Sequence, residues 1–233
     1  MSSLKILIIV TSHAVMGNTE EPTGLWLEEL TTPYYAFIDA GLSVSIASID
    51  GGAIPIDPRS QKSIGENAAS VDRFLQDQSA MAEVKNTPGV NNVDPEQYDA
   101  IFLPGGHGTM WDLPQSQPLA TVISQVYAQE KVVAAVCHGP AGLINATKPD
   151  GSPLVAGHKI SAFTNSEEDA VGLSDTVPFM LESKLRELGA NFHGVDDFQP
   201  FVVESGNLIT GQNPSSSLLV AKKVLEALQV KVS

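Results

Sequence analysis

Val132-Val133-Ala134-Ala135-Val136 runs without a break into Cys137-His138-Gly139-Pro140. An uninterrupted apolar run with β-branched residues reads as a strand covered on both faces, as in a parallel sheet. Gly139 and Pro140 then open a short helix over 141–146, since proline's missing N–H costs nothing in a first helical turn. Cys137 is therefore expected on a sharp strand-to-helix turn at the carboxyl end of the sheet. Ligands bind at that edge of open α/β sheets.

The same grammar extends in both directions. Strands are expected at 4–10, Ser43–Ser48, Ala100–Leu103, 159–162, 201–203 and 208–210. Helical patterns fill 25–40, 119–129, 178–188 and 215–228. The first stops at Gly41 and the third at Gly189, both good C-terminal residues. Any of Ser215, Ser216 and Ser217 is a suitable cap for the last. Strands alternating with helices at this spacing make an α/β fold with a mainly parallel sheet. Residues 50–99 are irregular, with Gly51-Gly52, Pro55, Pro58, Pro88 and one helix at 70–75. They read as an insertion or lid over the sheet edge or its carboxyl rim, with a small second domain as the alternative.

Composition limits the function. The 233 residues hold 13 Lys+Arg against 27 Asp+Glu, a net charge of −14. Nucleic acid and anionic membrane surfaces need clustered cations, and none occurs here. Apolar residues make up 42%, too many for a disordered chain. The start of the chain lacks a signal peptide's basic region and long apolar stretch. No run approaches the roughly 18–20 apolar residues of a membrane span. A single cysteine excludes an internal disulfide and suits a reducing compartment, so the expected location is cytoplasmic.

The chain has no phosphate loop, no H-E-x-x-H zinc helix and no G-x-S-x-G elbow. Its histidines are scattered, so spacing gives a metal site no support. Cys137 remains. Backbone amides at a helix start stabilise a thiolate, lowering a free thiol from about 8.5 to roughly 3.5–7.5, and can cradle an oxyanion. Gly105-Gly106, closing another strand on the same edge, offers further amides. The plainer reading of Cys137 is a small buried hydrophobe. Proton handling points to Glu28-Glu29 at the start of the first helix, of which at most one can face the thiol. One of Glu167, Glu168 and Asp169 is placed to orient His138. Solvated acidic surface is the plainer reading of both groups.

Ala135-Val136-Cys137-His138-Gly139-Pro140, preceded by Leu103-Pro104-Gly105-Gly106-His107-Gly108, resembles the ThiJ/PfpI superfamily. The likeness runs from Ile6-Leu7-Ile8-Ile9 to Thr210-Gly211-Gln212-Asn213-Pro214. Length and the long segment after the second strand resemble the heat-shock-type, glutathione-independent glyoxalase III (D-lactate dehydratase) branch. The resemblance implies a flavodoxin-like three-layer sandwich, one domain over 1–233, homodimers and no cofactor or metal. It maps the nucleophile to Cys137 and its partner to His138. The nucleophile-facing acid, four positions before Pro33, is Glu29. The third acid is Glu168, with Glu167 and Asp169 as alternatives, and the oxyanion amides are those of Gly106 and His138. The H-x-E of related glutamine amidotransferases is absent, which discounts ammonia transfer. The expected reaction converts methylglyoxal-type 2-oxoaldehydes to 2-hydroxy acids through a Cys137 hemithioacetal. The alternatives are a stress holdase or cysteine redox sensor, then a cysteine hydrolase.

Overall fold

The structure, a computed structural model, describes residues 4–230. The targeting reading of residues 1–3 lies outside them. Strand β1 (Lys5–Val10) leads into α1 (Leu27–Asp39) and β2 (Ser43–Ser48); α2 (Ala69–Gln76) and α3 (Gln78–Lys85) follow. Next come β3 (Ala100–Leu103), the one-turn α4 (Thr109–Asp112), α5 (Gln117–Ala128) and β4 (Val132–Val136). The last third holds β5 (Lys159–Ile160), α6 (Asn165–Ala170), α7 (Leu181–Glu187), β6 (Asn191–Phe192), β7 (Val202–Ser205), β8 (Leu208–Gly211) and α8 (Ser217–Ala227).

Six strands form one sheet in the order β2-β1-β3-β4-β8-β7. All neighbours are parallel except β7, which runs antiparallel to β8. Side chains alternate between the faces of a strand. Ile6, Ile8, Val10, Phe102, Ala134, Val136 and Ile209 accordingly pack under α1 and α8. Leu7, Ile9, Ile101, Leu103, Val133, Ala135 and Leu208 pack under α5 on the other face. This is the α/β sandwich expected from the apolar runs. Among the described residues no helix is long and apolar enough to cross a membrane.

Several local expectations change. The stretch at 159–162 gives only β5, which pairs with β6 in a separate two-stranded sheet rather than joining the main one. Residues 141–146 are not a helix; a 3-10 turn, Gly139–Leu143, follows β4 instead. No serine side chain caps α8. Its N-cap residue, Ser216, makes no capping hydrogen bond, and the reciprocal capping box between Asn213 and Ser216 closes the 3-10 turn Pro214–Ser216 that leads into the helix.

Two tight approaches position the carboxyl edge. A Cβ on Gly139 would lie 2.1 Å from the Leu103 carbonyl oxygen, and one on Gly105 would lie 2.6 Å from the His138 nitrogen. The exits of β3 and β4 thus touch through bare backbone. Gly139→Ala should lower unfolding free energy by about 1–3 kcal/mol or more, because backbone has to move to admit the methyl group. Urea unfolding measures this; an unchanged midpoint would contradict the packing described.

Candidate active site

Cys137 follows the last residue of β4 with φ +58°, left-handed backbone that non-glycine residues rarely adopt. Two backbone bonds pin it. Its N–H donates to Gly211 O at the end of β8 (3.0 Å), and its carbonyl accepts from Phe163 N (2.9 Å). Cys137 lines a cavity of about 340 Å³ together with Gly106, His107, His138 and Phe163. The residue is 3% exposed, so access runs through that cavity.

Glu29 lies in the first turn of α1 and is wholly buried, whereas Glu28 is half-buried. The 50–99 segment holds this helix start. Leu25 N donates to Pro55 O, Asp57 N to Leu25 O, and Ser60 Oγ accepts from Leu27 N. Glu29 Oε2 accepts from Gly105 N at 2.7 Å. Burial raises its carboxyl to about 8, against the opposing hydrogen bonds from Gly105 and the Cys137 thiol. At neutral pH it is mainly protonated.

The Cys137 thiol is also raised, first by burial and then by Glu29. This corrects the expected lowering. Only a five-residue 3-10 turn follows the cysteine, and it supplies no α-helical dipole to outweigh burial. The His138 amide acts on the sulfur in the lowering direction. No acceptor among the described residues takes the Gly106 N–H. Gly106 itself needs its missing side chain: φ is +101°, and a Cβ would strike Gly24 O at 2.3 Å. Thr109 Oγ1 ties the two amide-bearing turns together by donating to Gly106 O (2.8 Å) and His138 O (3.2 Å).

His138 Nδ1 is 3.3 Å from the sulfur, and its Nε2 is 2.7 Å from Glu168 Oε2. The other oxygen, Oε1, is 2.8 Å from His107 Nε2. Burial alone would raise Glu168, but its two histidine partners bring it down to about 2. An ionised carboxylate only accepts. Both Nε2 atoms therefore carry protons, and Nδ1 is the His138 ring atom that faces the sulfur. Burial, reinforced by nearby His138, lowers His107 to about 4 and keeps it neutral.

The three neighbouring acids separate cleanly. Glu168 meets the histidines. Glu167 is buried and accepts from Thr164, Phe198 N, Gln212 and Asn213. Asp169 is exposed and bonds Ser174. Sequence reasoning missed His107. Its signal was its place just after Gly105-Gly106, on the same edge as Cys137. His107, His138 and Glu168 also form a possible metal-ligand triplet, whose ligand atoms lie within 4.8 Å of one another. The two Nε2–H···O bonds already satisfy them.

A carboxyl whose folded-state pKa is raised stays protonated in the native protein after the unfolded chain has ionised. Glu29 therefore costs stability progressively as pH rises from about 4.5 to about 8, with a slope of at most about 1.4 kcal/mol per pH unit. Glu29→Gln should remove this fall and be the more stable protein at pH 9, as read by thermal unfolding from pH 5 to 9. Parallel curves for the two proteins would contradict the assignment.

Residues 23–227 match the model of the DJ-1/PfpI family. The chain is similar to glyoxalase 3 of Candida albicans, with 30% identity over 97% of this chain and 99% of that protein. It is also similar to a glutathione-independent glyoxalase of Schizosaccharomyces pombe, with 33% identity over 89% and 88%. Among solved structures it resembles the 24 kDa rapid encystment protein of Francisella tularensis. There the TM-score is 0.92 and the identity 41%, covering 97% of this chain and 99% of the other. With the family model matched over most of its length, on this sheet order and this cysteine-bearing turn, the chain belongs to the DJ-1/PfpI family.

Proposed function

We propose that this protein is a glutathione-independent glyoxalase that converts small 2-oxoaldehydes such as methylglyoxal to 2-hydroxy acids. The observation that carries the reading is a buried carboxyl, Glu29, poised near neutral pH beside the only thiol of the chain. The relatives named glyoxalase 3 and glutathione-independent glyoxalase support the same chemistry. We take the chain as a single domain whose 50–99 segment walls the site, working as a cytoplasmic homodimer.

The Cys137 sulfur adds to the aldehyde carbon as His138 Nδ1 takes the thiol proton, so no standing thiolate is required. Glu168 stabilises the imidazolium that forms. The Gly106 and His138 amides receive the oxyanion, and proton return gives the hemithioacetal. Glu29, in its ionised form, removes the proton from C1. The resulting enediol is reprotonated at C2, turning the ketone into an alcohol and C1 into a thioester. Water then releases the 2-hydroxy acid and restores the thiol. One carbon is oxidised and its neighbour reduced, so the balance is substrate plus water. A base with pKa near the working pH combines availability with strength. An ordinary carboxylate would be a much weaker base.

A holdase would draw on exposed apolar surface in the 50–99 segment. Among its described residues Ile64 is the single large apolar side chain standing exposed.

Lactate should form from methylglyoxal without added thiol. Cys137→Ala should reduce turnover by at least about a thousandfold, because nucleophile and acid–base groups act as a unit. Equal turnover by that variant would rule out the covalent route. The kcat/KM should climb with pH as Glu29 loses its proton, with a midpoint near about 8. Glu29→Gln should abolish that limb along with most of the activity. A pH-independent rate between 6 and 9 would remove Glu29 as the base.

A further inference from the structure

The segment at 50–99 sets one cation into the wall of the catalytic cavity. Arg59 lines it with Trp26, Cys137, Phe163 and Phe198. Asp57, wholly buried, holds the guanidinium. It accepts from Arg59 Nε at 2.9 Å and Nη2 at 2.6 Å, and also from Thr23 Oγ1 at 2.9 Å. Nη2 makes a longer contact of 3.4 Å with His107 Nδ1. Two of the three nitrogens are thereby engaged, while Nη1 donates to no described residue. The side chain is 43% exposed. A guanidinium already locked in place loses little freedom when its remaining edge binds a ligand.

The cavity is also larger than its proposed reaction needs. At about 340 Å³ it falls within the range of sites for much larger ligands, roughly 300–1,000 Å³. A three-carbon aldehyde leaves most of it empty. Its aromatic walls suit an apolar chain, and its one cation suits an anionic terminus. Charge favours a monoanion. Asp57 cancels Arg59 formally, Glu168 is ionised, and the chain carries −14 overall, so a dianionic phosphate would meet more repulsion than one fork edge offsets.

We propose that the site is built for 2-oxoaldehydes that end in a carboxylate, which Arg59 Nη1 receives while C1 reacts at Cys137. The inference rests on the glyoxalase reading. Bond changes at C1 and C2 are those already given, the distal carboxylate is a spectator, and the product is a 2-hydroxy dicarboxylate.

The test compares dioxopentanoate, a five-carbon 2-oxoaldehyde ending in a carboxylate, with its methyl ester. The intact enzyme should favour the acid by about tenfold in kcat/KM, mostly through KM, as a charge-assisted hydrogen bond provides. Arg59→Gln should erase that ratio. If the lone Asp57 charge prevents this variant from folding, Asp57→Asn with Arg59→Gln removes both charges and gives the same readout. Turnover of methylglyoxal without any preference for the acid, or a preference that survives Arg59→Gln, overturns the proposal and leaves the glyoxalase reading standing. Absence of turnover with every 2-oxoaldehyde defeats that reading instead. Calorimetric binding of 2-hydroxypentanedioate then decides about Arg59: tighter binding than the monoamide, lost in Arg59→Gln, supports the carboxylate site, and equal binding refutes it.

Discussion

Left-handed backbone at a residue with a side chain costs about 1–2 kcal/mol, and Cys137 is held there by hydrogen bonds from two directions. Gly211 O takes its N–H and Phe163 N reaches its carbonyl. The first bond belongs to the β4–β8 edge of the main sheet. The second brings in the segment that carries Phe163, Thr164 and, one helical turn later, Glu168. The conformation that turns the sulfur out of the strand is thus held by the same contacts that deliver its histidine's carboxylate. Gly139 and Gly105 complete the arrangement by letting the exits of β3 and β4 meet without side chains between them.

Two glutamates a few ångströms from the same chemistry end in opposite states, and their partners explain why. Glu29 is buried with one amide donor and the thiol, and its other oxygen, Oε1, has no ordinary hydrogen-bond partner. Desolvation wins, and the carboxyl keeps its proton. Glu168 is buried with a ring N–H on each oxygen. Hydrogen bonding to the charged form wins, and the carboxyl ionises. One site therefore holds a carboxyl that keeps its proton at neutral pH and a carboxylate that loses it, with a thiol raised by burial beside them.

Much of this was legible in the sequence. Apolar runs buried on both faces marked β1, β3 and β4, and Gly41 and Gly189 marked helix ends. The strand–Cys–His–Gly–Pro junction placed Cys137 at the turn that leaves β4. The motif likeness separated Glu29 from Glu28, which burial now separates independently. What stayed hidden is instructive. The pair β5 and β6 is two residues per strand, too short for any periodicity. Helix α6 opens on Asn-Ser-Glu-Glu-Asp, a composition that resembles a solvated loop. It is helical because the Thr164–Glu167 capping box and Glu167's buried hydrogen bonds hold it.

The sequence by itself determined the α/β class, where the main strands lie along the chain and the place of the cysteine at a carboxyl-edge turn, because local apolar pattern and backbone chemistry encode those. Tertiary structure alone decided the thiol's elevated pKa, the joining of His107 to Glu168 and the entry of Arg59 into the cavity wall. Each depends on how deeply a group is buried and which distant residue lies beside it. In this chain 61 positions separate His107 from Glu168 and 48 separate Arg59 from His107, distances over which no sequence period carries information.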